Sequence, residues 1–116
     1  MKFKIEKFHL YVADLNPAFG TEPGEIRPVL VIQTDLLNQN QHPSTIVCLL
    51  TTQVEPEAEI LRVHLRKGEA GLDKASDILV DQLRSIDNRR FLKHLGRISP
   101  THQKQLLENL KILILE

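Results

Sequence analysis

The chain has 116 residues, 41% hydrophobic and 26% charged, which gives room for one domain around one core. Its 15 Lys and Arg balance its 15 Asp and Glu, so a globally basic surface is excluded and any contact with a polyanion must come from a local patch. The single cysteine excludes an internal disulfide, no apolar run is long enough for a membrane span, and the start shows no signal-like stretch, so a cytoplasmic protein is expected.

In chain order, residues 8–13 are too apolar to alternate cleanly, but their aromatic and β-branched content predicts a strand. Asp14 to Ile26 holds two prolines and two glycines and reads as an irregular loop. Val29 to Ile32 is a continuous apolar run, with Pro28 expected among the strand's first residues because it cannot donate to a ladder. Residues 38–43 form a polar connection, and Thr45 to Thr52 is a second apolar, β-branched strand. Cys48 lies in its apolar run Ile46–Leu50 and reads as a buried structural residue, since reactive thiols need an accessible, electropositive setting.

From Leu61 the pattern alternates: Leu61, Val63 and Leu65 on one face, Arg62, His64 and Arg66 on the other. The second face is either a track for a polyanion backbone or, as preferred here, the solvated side of a half-buried strand. Ile78-Leu79-Val80 predicts a short buried strand. At the end the period changes. Ser99 can cap a helix, Pro100 suits its first position, and Leu106, Leu107, Leu110, Leu113 and Ile114 recur at helical spacing. Four or five short strands and a terminal helix predict a mainly β domain over residues 1–116, a strongly bent barrel or half-barrel.

Four stretches carry a resemblance to a known family. They are Ala13-Asp14-Leu15-Asn16-Pro17, Gly20-Thr21-Glu22-Pro23-Gly24-Glu25-Ile26-Arg27-Pro28, Leu50-Thr51-Thr52-Gln53 and Asp81-Gln82-Leu83-Arg84-Ser85-Ile86-Asp87. Together, and in this order, they resemble the MazF/PemK toxins of type II toxin–antitoxin systems. The sequence departs from the family at Phe8-His9, where its members usually have Gly followed by Asp or Glu.

The resemblance implies an SH3-like barrel of the MazF/PemK (gyrase-poison-like) type. It also implies a sequence-specific, metal-independent endoribonuclease that cleaves single-stranded RNA by attack of a ribose 2′-hydroxyl on the adjacent phosphate. Arg27 matches the family's catalytic arginine, and a guanidinium, always ionised and forked, suits the phosphate oxygens. Thr51 matches a catalytic threonine whose hydroxyl can donate to a nonbridging oxygen. For the base two carboxylates compete, Asp81 in the Asp-Gln motif and Glu22 in the loop. Ser76 and Gln82 match positions that touch RNA bases, and Thr21 stands where one relative carries a loop histidine. Phe19 could stack on a base or belong to the core.

The five histidines show no shared metal-ligand spacing, so no metal or other cofactor is expected. The expected partners are single-stranded RNA, a second copy of the chain and a cognate antitoxin with a flexible acidic tail. The competing reading on the same fold is a non-enzymatic toxin that binds DNA gyrase through an aromatic C-terminal tail; this chain ends Leu110-Lys111-Ile112-Leu113-Ile114-Leu115-Glu116 and has no tryptophan.

Overall fold

The structure, a computed structural model, describes residues 3–17, 20–21 and 25–116. Six strands form one antiparallel sheet: β1 (His9–Asp14), β2 (Ile26–Val31), β3 (Ser44–Thr51), β4 (Arg62–Leu65), β5 (Ser76–Asp87) and β6 (Phe91–Arg97). The spatial order is β4-β5-β3-β2-β1-β6. A one-turn helix α1 (Asp35–Asn38) links β2 to β3, and α2 (Pro100–Leu110) follows β6, continued by a π-helical turn at Lys111–Leu115.

The apolar runs of β1, β2 and β3 do not alternate because both of their faces are buried. Tyr11, Ala13, Val29, Val31, Val47 and Leu49 point into one core cluster, together with Phe91 and Ile86. Their neighbours Leu10, Leu30, Cys48 and Leu50 point into a second cluster, closed by Val63, Ile78, Ile98 and Leu106 of α2. A strand sandwiched in this way reads as a continuous hydrophobic stretch, like the strands of parallel sheets. Each fully buried Leu or Val contributes about 1.5–3 kcal/mol. Burial pushes the Cys48 thiol up to about 12, helped by the nearby Asp81 charge, so the cysteine is an inert core residue as expected.

The ladder is open, with β4 and β6 at its edges, and the molecule is a half-barrel. The 3-10 turn Glu69–Gly71 after β4 packs on β6. Glycine is needed at this approach: a Cβ on Gly71, whose φ is +80°, would lie 2.9 Å from the Leu95 carbonyl oxygen. Ser99 caps α2 by accepting from the His102 N–H, and Pro100 occupies the first turn, as the sequence predicts. Only Leu106 and Asn109 of α2 are buried in the chain; Leu107, Ile112, Leu113, Ile114 and Leu115 are exposed.

Three expectations need correction. β5 runs for 12 residues rather than the three of Ile78–Val80; its second half escaped because it is mostly polar, with only Leu83 and Ile86 apolar. β6, which carries His94, has no counterpart among the predicted strands. Pro28 is the third residue of β2, not at its start.

The missing glycine before β1 is compensated in place. Phe8 itself takes φ +68°, a left-handed conformation rare for a bulky side chain. Two backbone bonds hold it there: the Phe8 N–H donates to Val31 at 2.7 Å, and the Ile98 N–H donates to the Phe8 carbonyl at 3.0 Å.

Candidate active site

The motifs converge because β5 leaves its ladder for a moment. On β3, Cys48 pairs with Leu83 and the next residue, Leu49, pairs with Leu79, so Val80, Asp81 and Gln82 have no register partner on β3. Such bulges redirect side chains. Val80 turns into the core while Asp81 and Gln82 open onto a cleft of about 470 Å3, which is also lined by Arg27 of β2, Thr51 of β3, Gln53, Glu55, Leu61 and Arg62.

Within the cleft, the Arg27 Nη1 donates to the Leu50 carbonyl at 3.0 Å, which anchors the guanidinium at the end of β3. Thr51 Oγ1 accepts from the Gln53 N–H at 3.1 Å; a hydroxyl that accepts in this way still has its own proton to donate. Asp81 is exposed to solvent and Gln82 half-buried. Arg27 also borders a second depression of about 290 Å3, whose polar lining includes Lys74, Ser76 and Lys93. These lysines beside Arg27 provide a local basic patch in a chain of zero net charge.

The site residues expected from the sequence divide into three groups. Arg27, Thr51, Asp81 and Gln82 share one cleft. Ser76 borders the adjoining depression, but it is buried and its hydroxyl donates to the Lys74 carbonyl at 3.0 Å, while Thr21 is exposed. Glu22 and Phe19 lie outside the described residues.

The sequence reading missed Asp77. It stands opposite His64 on β4 and opposite Thr51 on β3, with 0% of its surface exposed. Its carboxylate accepts from the Glu55 N–H at 2.8 Å, from Arg62 Nη1 at 3.0 Å and from His64 Nδ1 at 2.7 Å. Burial alone would raise its pKa; the Glu55, His64 and Arg62 hydrogen bonds together bring it below the usual 3.8. The face Arg62 and His64 present is therefore an internal clamp rather than a solvated surface.

His64 faces acceptors on both sides, the Asp77 carboxylate and, through Nε2 at 2.9 Å, the Ala58 carbonyl. Both ring nitrogens must then donate, so the imidazolium form is favoured and its pKa is raised, chiefly by the Asp77 bond. Through Arg62, which also donates to the Gln53 carbonyl at 2.9 Å, the clamp holds the 53–61 loop that forms one wall of the cleft. The signal for this was an aspartate heading an apolar run while Arg and His stood at alternate positions of a neighbouring strand.

The half-barrel thus carries a cleft of cationic, hydroxyl and carboxylate groups drawn from β2, β3 and the bulge of β5. The chain belongs to the PemK-like, MazF-like toxin family of type II toxin–antitoxin systems, whose model matches residues 6–114. It is 36% identical over 97 residues to the endoribonuclease MazF of Staphylococcus saprophyticus, covering 84% of this chain and 80% of that protein. Its fold is that of MazF from Deinococcus radiodurans, with a TM-score of 0.83 at 22% identity over 99% of this chain and 100% of that one. It also matches the MazE–MazF complex of the same organism, with a TM-score of 0.75 at 19% identity over 97% of each chain. No helix among the described residues is long and apolar enough to cross a membrane.

Proposed function

We propose that this chain is a cytoplasmic, sequence-specific endoribonuclease toxin that cleaves single-stranded RNA without a catalytic metal and is neutralised by a cognate antitoxin. The observation that carries this reading is the meeting of Arg27, Thr51, Asp81 and Gln82, from three strands, in one cleft. The kinship with a protein named as an endoribonuclease supports it.

In the proposed reaction a carboxylate, Asp81, takes the proton of a ribose 2′-hydroxyl. That oxygen attacks the adjacent phosphorus, the bond to the 5′-oxygen breaks, and the leaving oxygen takes a proton from water. The products are a cyclic phosphate and a 5′-hydroxyl end. Arg27 faces the charge that builds on the phosphorane and Thr51 donates to a nonbridging oxygen. Glu22 is the competing base. Gln82, with Thr21 and Phe19, contributes to reading unpaired bases, whose edges and faces are open in single strands; Ser76, buried and bonded to Lys74, does not. Lys74 and Lys93 extend the phosphate track beyond the cleft.

The exposed apolar side chains of the C-terminal helix fit burial against a second copy, and the antitoxin's acidic tail fits the Lys74 and Lys93 patch beside Arg27. The gyrase-binding alternative finds no support in Lys111–Leu115, a mainly aliphatic turn that continues the helix.

The test is incubation of a long unstructured RNA with the protein in EDTA, beside Arg27→Ala, with the mass in solution measured by light scattering. Discrete fragments with 5′-hydroxyl ends are expected from the wild-type dimer. Loss of about 100- to 1000-fold in rate is expected for the variant, as for removal of a preorganised charge donor. Full activity in Arg27→Ala would sink the site assignment.

A further inference from the structure

Outside the cleft, the turn before β1 and the edge strand β6 bring a cluster of donor atoms together. His9 Nδ1 and His94 Nε2 face each other at 2.9 Å, and Glu6 Oε2 lies 3.6 Å from His9 Nδ1. One ligand atom from each of the three residues falls within 4.8 Å of the others, although His94 is 85 residues from His9 in sequence. We infer that Glu6, His9 and His94 form a binding site for a divalent transition-metal cation of the zinc class.

Backbone geometry places each donor. The His9 N–H donates back to the Glu6 carbonyl at 3.3 Å, closing a tight turn with Phe8 at the i+2 position, where type II turns carry positive φ. That turn brings residues 6 and 9 together. Across the β1–β6 ladder, Leu10 pairs with Gly96 but Tyr11 pairs with His94, so Leu95 is skipped. The His94 ring then lies over His9, with centroids 5.2 Å apart and planes 27° from parallel.

Supports behind the donors fix them. The Tyr11 hydroxyl donates to the Lys4 carbonyl at 2.6 Å and accepts from the Glu6 N–H at 2.9 Å, while its ring sits 5.1 Å from His94. Metal sites depend on such second contacts to orient their ligands.

The distances suit the ion. Two ligand atoms about 2.0–2.1 Å from a tetrahedral zinc stand about 3.3 Å apart, so the rings need to part by only a few tenths of an ångström. Without a cation, one imidazole must spend an N–H on the other; with one, both lone pairs are used. The His9 side chain is 18% exposed and Glu6 48%, which leaves a path for the ion. Arg97, across the ladder, opposes a cation, and Glu6 and Asp35 oppose that effect. Two imidazoles and one carboxylate leave coordination positions for water.

The experiment titrates Co2+ into the EDTA-stripped protein and follows the visible d–d bands, with a parallel thermal melt in ZnCl2. One equivalent of cobalt should raise the bands, and zinc should raise the melting temperature. His94→Gln, on an edge strand, should keep the native circular dichroism and weaken binding at least about tenfold. His9→Asn should do the same, and His102→Gln should bind like the wild type. Absent bands, unchanged affinity in His94→Gln, or loss in His102→Gln instead would overturn the site. RNA cleavage by the same stripped protein is read separately, so failure here and failure of the proposed activity are told apart.

Discussion

Asp77 and Asp81 lie four residues apart on β5 and have opposite lives. Asp77 is fully buried, with its charge met by an N–H, a guanidinium and the His64 ring. Asp81 sits on the bulge, open to solvent and to the cleft shared with Arg27. The first carboxylate is engaged by three donors of the protein; the second faces the cleft and solvent. What a carboxylate can do here is set by whether the ladder keeps it or releases it.

The sharpest way to break the comparison is Asp77→Ala, which strands Arg62 and His64 beside a cavity. Removing one partner of a buried charge cluster costs about 3–5 kcal/mol, to be read by chemical denaturation. A loss below about 1 kcal/mol would mean that the clamp is dispensable. Asp81→Asn should do the reverse. Its unfolding free energy should stay within about 0.5 kcal/mol of wild type, as for exposed substitutions. RNA cleavage should slow by about 100-fold or more, the scale of lost acid–base help. If Glu22→Gln slows cleavage while Asp81→Asn does not, the base is Glu22.

The smallest effect is a pH dependence of the clamp. Because the folded pKa of His64 is raised above 6.5, its contribution is fully present below that value and fades as pH rises through the folded pKa. Partial exposure of the ring limits the effect to about 0.5–1 kcal/mol. Hydrogen exchange at Glu55 and neighbouring loop amides, corrected for intrinsic rate, should show protection falling as pH rises through the folded pKa of His64, and His64→Gln should flatten that profile. On the acid side Asp77 works in the other direction: its folded pKa is depressed, so its contribution holds above 3.8 and is lost as pH falls through the lowered value.

Much of this was legible in the sequence. The apolar runs gave β1 to β3, Ser99-Pro100 marked the start of α2, and the Asp81-Gln82 and Arg27-Pro28 motifs located the cleft. β6 was not legible because, as an edge strand, it buries only Phe91 fully, and its partner β1 lies some eighty residues earlier. Asp77 escaped because its three partners come from other segments, and the His9–His94 pair because sequence spacing carries no record of a ladder register. The bulge itself has no turn signature; only the pairing on both sides of it reveals three supernumerary residues.

Three is an odd number, and parity matters in a strand. Before the bulge, odd-numbered Leu79 faces the first core cluster and even-numbered Ile78 the second; beyond it, even-numbered Ile86 faces the first. The segment that carries Asp81 and Gln82 is thus a phase inverter for the second half of β5. Its composition is free to drift under selection for chemistry, but its length is not. Adding or deleting one residue would turn Ile86 out of its core, so a lineage can retune this site by substitution while insertions and deletions there are forbidden by the fold.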